Sequence, residues 1–448
     1  MVEFGDFIKD LKSTFNGSCG GPGGLTGEHF KCIIEVPGVV EALFRVFKLL
    51  IDGAFPAWSH PYICNQNLLA LGEKERPVCI GGWLMRTASK LCDRTVDASE
   101  SQEFFLHTGD GYKVLQFGTS IRGGAEAAHM LVDLRVHEEG ARRVAIQKDG
   151  ANAYNVTDRE YAVEQCAMVF PSTARWARWL YGTPSLLRTG DDFIWATNGV
   201  YQGDALGGRI HDTALHFALM KAAKETATAY DLENADDELV IVAYRDDVHI
   251  TGTTEVAIHN NTQVDKFREE LTGVTESKHK TRAYAPRRTF NSDDNLHTHA
   301  VLPLQGTYIP HDRISTQGLK TIGAPIGTDE FISEQVHKQC KKYPKFIPRL
   351  YKMDPECAIF ILRDCHLPIA THLIRMLHPT HTIEHAHELD GDIFAAYQHL
   401  ADDFDIKITD PMYFQPFRHS GLGFRSIPIS PVSTPTPNYK FFIRLIIF

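Results

Sequence analysis

The sequence predicts an α+β fold divided into more than one subdomain. Short apolar runs of strand length stand beside stretches whose apolar residues recur at helical intervals. The 448 residues are 43% hydrophobic and 23% charged, within the globular range. A chain this long exceeds what one compact core serves, so two or three subdomains are expected.

Taken in order, Gly17 to Gly27 is too glycine-rich for a helix or strand and reads as a loop. Glu28 to Ile51 reads as helix. Cys64 to Leu71 and Pro77 to Ile80 read as strands around a polar turn at Gly72 to Arg76, and Trp83 to Cys92 returns to helix. Val144 and Ile146 alternate with polar neighbours and lead to Asp149, which ends a strand, and Asn152 to Cys166 reads as helix. Leu239 to Tyr244 and Val248 to Thr251 are apolar runs separated only by Arg245, Asp246 and Asp247, the pattern of a tight hairpin. From Glu330 to Leu400 the chain is mainly helical. Phe441 to Phe448 is apolar but too short to cross a bilayer, and neither an internal repeat nor a coiled coil is found.

Composition narrows the function classes. No charged leader runs into an apolar segment at Met1 to Leu11, and no apolar stretch reaches about 18 residues, so a soluble intracellular protein is expected. Nine cysteines without Cys-x-x-Cys spacing point to buried thiols instead of a disulfide framework or zinc ribbon. The net charge of −10 repels a polyanion. Basic residues nevertheless gather at Lys278, Lys280, Arg282, Arg287 and Arg288, and again at Lys338, Lys341, Lys342, Lys345, Arg349 and Lys352. Such strips grip phosphates or are simply solvated faces, and the charge pattern leaves both open.

Asp149 at a strand end and Asp246–Asp247 at a hairpin tip are the carboxylates that a two-metal phosphoryl-transfer site needs, because hard divalent cations take oxygen ligands. Aspartates at turns are also common for local hydrogen bonding, so these alone are a weak signal. The surrounding residues strengthen it. Asp149 to Asn155, then Gly199-Val-Tyr-Gln202-Gly203-Asp204-Ala-Leu-Gly207, then Tyr244-Arg-Asp-Asp247 lie in polymerase order. In these motifs the chain resembles the reverse transcriptases of non-LTR retrotransposons.

The resemblance extends over residues 20 to 426. Lys74, Arg76 and Pro77, with Ile80 and Arg86 through Lys90, look like the fingers segment that binds the incoming triphosphate. Gln116-Phe-Gly118 and Gly123 through Ala127 match the segment before the first catalytic strand. Lys278 and Lys280 resemble the basic element after the hairpin, Gly323 through Gly327 the primer grip, and Pro416 through Ser426 the element after the thumb. What this implies is a right hand: fingers over 1–140, N-terminally incomplete; a palm over 141–325, an antiparallel sheet backed by helices, with part of the fingers; a helical thumb over 326–426; and an irregular tail over 427–448. Asp149, Asp246 and Asp247 would hold two magnesium ions, or manganese, for template-directed DNA synthesis from deoxynucleoside triphosphates on an RNA template and DNA primer. Gln202 and Gly203 would position template and nucleotide. Tyr154 would exclude a 2′-hydroxyl, unless it is an ordinary aromatic on a buried helix face. A nuclear location follows if the retroelement reading holds, while the oligomeric state stays open.

Two departures stand out. Ala205 replaces the usual proline, and Gly150-Ala151 replaces an apolar-then-lysine pair beside Asp149, where the glycine is expected to loosen the carboxylate. The family's endonuclease, RNase H and zinc-knuckle segments are not recognised, and the Asn438–Phe448 ending resembles a truncation or a shifted frame. The rival expectations are a catalytically silent remnant, an RNA-binding scaffold that keeps the fold, or an unrelated structural protein. The histidines at 378, 381, 385 and 387, interleaved with Glu384 and Glu388, look like a metal cluster but are expected from 22 histidines; Cys357, Cys365 and His366 lack zinc-knuckle spacing.

Overall fold

A computed structural model describes residues 2–14, 19–36, 38–71, 76–139, 142–234, 238–277, 280–286, 309, 311–342 and 344–402. The chain divides into two compact units. One gathers Met1–Gly124, Val144–Thr281 and Leu302–Ile309; the other gathers Ala125–Arg143, Arg282–Val301 and Pro310–Phe448. Lys74, Lys278, Arg287, Arg288, the 416–426 element and the apolar ending lie outside the described residues.

The first unit opens with α1 (Phe4–Ser13), α2 (Gly27–Lys31) and α3 (Val39–Ile51). The single helix expected from Glu28 is therefore broken. Gly38 stands at φ +78°, and Pro37 has no amide to continue a helix. After α4 (His60–Cys64), β1 (Gln66–Leu71) and β2 (Arg76–Gly81) pair antiparallel where strands were expected, and α5 (Trp83–Asp93) follows. Next come α6 (Ala98–Phe105), β3 (Leu106–Gly109), β4 (Tyr112–Gln116) and α7 (Gly124–His137), nearly all of the last belonging to the second unit.

β5 (Arg143–Lys148) ends one residue before Asp149. The helix expected over Asn152–Cys166 is split into α8 (Ala153–Val156) and α9 (Arg159–Val169). Asp158 makes the break, because its side chain accepts from the Tyr161 amide at 2.9 Å and starts a new helix there. α10 (Ala174–Tyr181), β6 (Ser185–Thr189), β7 (Asp192–Ala196) and the long α11 (Gly207–Tyr230) lead to β8 (Leu239–Tyr244), β9 (Asp247–Thr253) and α12 (Thr254–Thr272).

A smaller sheet runs β2-β1-β6-β7, and within the first unit the larger one runs β5-β9-β8-β4-β3. Leu239 through Ala243 and Val248 are buried, which is why these strands read as continuous apolar runs. α11 is buried along Ile210, Ala214, Ala218 and Ala222, and the helix packs against α9, α12, β4 and β8. The fold is α+β as expected, but its sheets are mixed and not purely antiparallel: β4 lies parallel to β8, and β1 to β6. Parallel neighbours need long crossovers, and more than a hundred residues separate β4 from β8.

In the second unit, β10 (Arg282–Tyr284) pairs parallel with β11 (Ile314–Ser315), and β12 (Gly318–Thr321) forms a hairpin with β13 (Ala324–Gly327). Helices at Asp329–Cys340, Ile347–Leu350, Pro355–Phe360, Leu367–Met376 and Pro379–Asp402 follow, around a core that includes Leu350, Leu362, Leu389 and Ile393. Among the described residues no helix is long and apolar enough to cross a membrane.

Candidate functional site

Tyr244 pairs with Asp247, so only Arg245 and Asp246 form the turn between β8 and β9. Arg245 stands at φ +58°, a conformation that residues with a Cβ seldom adopt. Gln116 holds it there. Its side-chain amide donates to the Arg245 carbonyl at 3.1 Å, and its Oε1 accepts from the Arg245 amide at 3.0 Å and the Gly118 amide at 2.9 Å. A Cβ on Gly118 would lie 2.6 Å from the Arg245 nitrogen, so the turn seats where Gly118 has no side chain. The Gln116-Phe117-Gly118 segment is thus a cradle for the acidic hairpin, a role with no local sign in the sequence.

Asp149 is fixed from the other side. Its carbonyl accepts from the Ser277 amide at 3.0 Å, and the Ala151 amide donates to the Thr275 carbonyl at 3.0 Å. Gly150, bridged to Glu276, was expected to loosen this carboxylate, but it is closely packed: a Cβ there would lie 2.9 Å from Val274 Cγ1. Behind Asp149 the fully buried Lys148 lies 2.6 Å from Asp265 and 3.2 Å from Glu276. Buried Arg268 lies 3.5 Å from Asp265 and also senses the charges of Asp149 and Asp246. These buried cations answer carboxylates that would otherwise repel one another.

The three predicted carboxylates share one electrostatic field. Burial, then the charges of Asp246 and Asp149, push the Asp247 carboxyl up to about 6, while Lys280 and Arg76 oppose the shift. Lys280 Nζ stands 2.9 Å from Asp149 Oδ2. Among the described residues no three His, Cys, Asp or Glu side chains form a ready-made metal cage, the three aspartates and the 378–388 histidine run included. The oxygen-only donor set and the excess of negative charge at Asp247 nevertheless suit a hard divalent cation.

Tyr154 lies beside this cluster, its ring stacked on His211 with centroids 4.4 Å apart and planes at 14°. Burial raises the pKa of its hydroxyl, and the nearby charge of Arg245 opposes the rise. The Gln202–Gly203 loop lies on β2: the Cys79 amide donates to the Gln202 carbonyl at 2.9 Å. Gly203 has φ +113°, and a Cβ there would be 2.6 Å from the Cys79 carbonyl oxygen. Asp204 is buried just before α11 and accepts from the Tyr181 hydroxyl at 2.7 Å.

In the second unit, Ile322 (φ +49°) and Gly323 (φ +88°) make the turn between β12 and β13, and His372 Nε2 is 2.9 Å from the Ile322 carbonyl oxygen. Lys341, Lys342 and Lys345 are exposed. Burial, then the charge of Lys342, lower the pKa of Lys320 on β12, so positive charge accumulates there. His381 instead faces Asp329 at 3.5 Å, and His385 faces Glu388 at 3.7 Å.

Sequence reading missed Gln116 as a clamp, and it missed Asp212, Thr119, His211 and Arg268 altogether. Gln116 meets Arg245, Asp212 meets Thr119 and Arg245, His211 meets Tyr154 and Arg268 senses Asp149, and because these partners are distant in sequence no local pattern marks the roles. No protein-family model matches the chain, and no curated protein matches it.

Proposed function

We propose that the chain is an RNA-directed DNA polymerase of the non-LTR retrotransposon type, with the fingers, palm and thumb of a right hand. The observation that carries this reading is the shared field of Asp149, at the end of β5, and Asp246–Asp247, at the tip of the β8–β9 hairpin. Asp149, Asp246 and Asp247 would hold two magnesium ions, which when bound supply charge neutralisation for in-line nucleotidyl transfer. Arg76, whose charge reaches Asp247 from β2, binds the triphosphate beside them. Tyr154 meets the sugar, and the Gln202–Gly203 loop supports the base pair. Lys280 in the first unit grips nucleic acid, and in the second unit the Gly323 turn and the lysines at 341, 342 and 345 do so on their own account, the ligands being RNA template and DNA primer.

Extension of a DNA primer on an RNA template, with magnesium and deoxynucleotides, tests this against an Asp246→Asn control. Extension is expected in the unmodified protein and lost in a folded Asp246→Asn variant. Substantial extension by that variant removes the metal assignment.

One observation favours a second reading, an RNA-binding scaffold that keeps the fold without turnover. Lys280 already neutralises Asp149 at 2.9 Å. Salt-sensitive RNA binding with no extension by the folded, unmodified protein selects the scaffold.

A further inference from the structure

Arg245 supplies more than a turn residue. Its Nη1 lies 2.7 Å from Asp212 Oδ2 and 2.9 Å from Thr119 Oγ1, and the Thr119 hydroxyl donates to the same Asp212 oxygen at 2.5 Å. Asp212 is fully buried on α11. A Cβ on Gly208 would lie 2.5 Å from Arg245 Nη1, so the guanidinium rests on the helix where a side chain is missing. His211, the next residue to Asp212, stacks on the Tyr154 ring and places Nδ1 3.3 Å from Asp212 Oδ1. Tyr154 is thereby held at its face by His211, its hydroxyl sits in the field of the Arg245 guanidinium, and both neighbours are tied to one buried carboxylate.

We propose that Arg245 is a positioning residue for sugar selection: clamped by Asp212, it fixes the Tyr154 hydroxyl and ring at the nucleotide site. The inference rests on the polymerase reading. Rejecting a single hydroxyl demands a ring held to a fraction of an ångström, and a guanidinium anchored on a buried carboxylate beside that ring provides the stiffness. Lysine can keep the ion pair but cannot fork between Asp212, Thr119 and Tyr154.

The test measures kcat/KM for deoxy- and ribonucleotides separately in the unmodified protein, Arg245→Ala, Arg245→Lys, Tyr154→Phe and the Ala/Phe double variant. Arg245→Ala is expected to lower the deoxy-to-ribo ratio at least tenfold, Arg245→Lys to recover part of it, and the alanine change to add less than threefold in the phenylalanine background. A fall shared equally by both sugars, with the ratio unchanged, means that Arg245 serves only the turn and overturns the proposal. Hydroxyl-radical footprinting read by mass spectrometry reports on Tyr154 without catalysis. Faster oxidation of Tyr154 is expected in Arg245→Ala, and equal rates overturn the clamp. If the unmodified protein extends no primer, the polymerase reading fails while the footprint still decides whether Arg245 holds the ring.

Discussion

Asp247 is a residue where fold and charge conflict. Its carboxyl is raised from 3.8 to about 6 by burial and by Asp246 and Asp149. Below about pH 4 it is protonated in both the folded and the unfolded chain, so it costs nothing. Between about 4 and 6 the unfolded chain loses the proton while the folded chain keeps it, and the penalty grows; above 6 it stands in full. A shift of about two units corresponds to about 3 kcal/mol. Asp247→Asn is therefore expected to raise the stability by up to about 3 kcal/mol near pH 7.5, with the gain vanishing near pH 4. Denaturant melts at the two pH values check this, and an equal gain at both would sink the assignment. Magnesium should narrow the gap at pH 7.5, since it relieves the same repulsion. Extension should decline as pH falls through 6, where a protonated Asp247 no longer offers an anionic ligand.

At the scale of elements, the β8–β9 hairpin depends on what lies under its turn. Gly118→Ala would place a Cβ 2.6 Å from the backbone nitrogen of Arg245, and backbone cannot swing aside as a side-chain tip does. Overpacking of this kind costs about 1–3 kcal/mol, and a displacement of about 1 Å at a reacting centre costs around a hundredfold in rate. The variant is expected to melt earlier and to extend primers about a hundredfold more slowly. Unchanged melting together with unchanged extension would show that the turn does not need the cradle. The hairpin was legible in the sequence because two buried strands leave two unbroken apolar runs, and Asp149 was legible at the end of a third. The cradle was not, since Gln116 and Arg245 stand 129 residues apart and nothing local announces their contact. The helices expected over 28–51 and 152–166 were overdrawn for the opposite reason. Apolar periodicity survives a break, whereas Gly38 and the Asp158 cap decide where the backbone leaves the helix. The parallel pairing of β4 with β8 was hidden as well, because alternation reports a buried face and not the direction of a neighbour.

For the whole molecule the question is how a chain of net charge −10 would hold the proposed polyanion. Screening answers part of it: at physiological ionic strength a charge is felt over about 8 Å, so the distant acidic surface matters less than the cations at the contact. Lys341, Lys342 and Lys345 are exposed within one short stretch, and Lys320 feels the charge of Lys342. Each phosphate neutralised releases counterions and contributes about 0.7 to 0.9 to the slope of log K against log salt. Replacing all three lysines by glutamine should therefore lower the slope for an RNA–DNA duplex by about 2 to 3, with the melting temperature little changed because these side chains are solvated. Fluorescence anisotropy between about 50 and 200 mM salt spans the range in which the difference is large. A slope equal to that of the unmodified protein would make the strip a solvated face, and the phosphate contacts would then fall to Lys280 and the basic residues near it. A reduced slope with extension intact on saturating template would instead separate the gripping of the nucleic acid from the chemistry at Asp149 and Asp246.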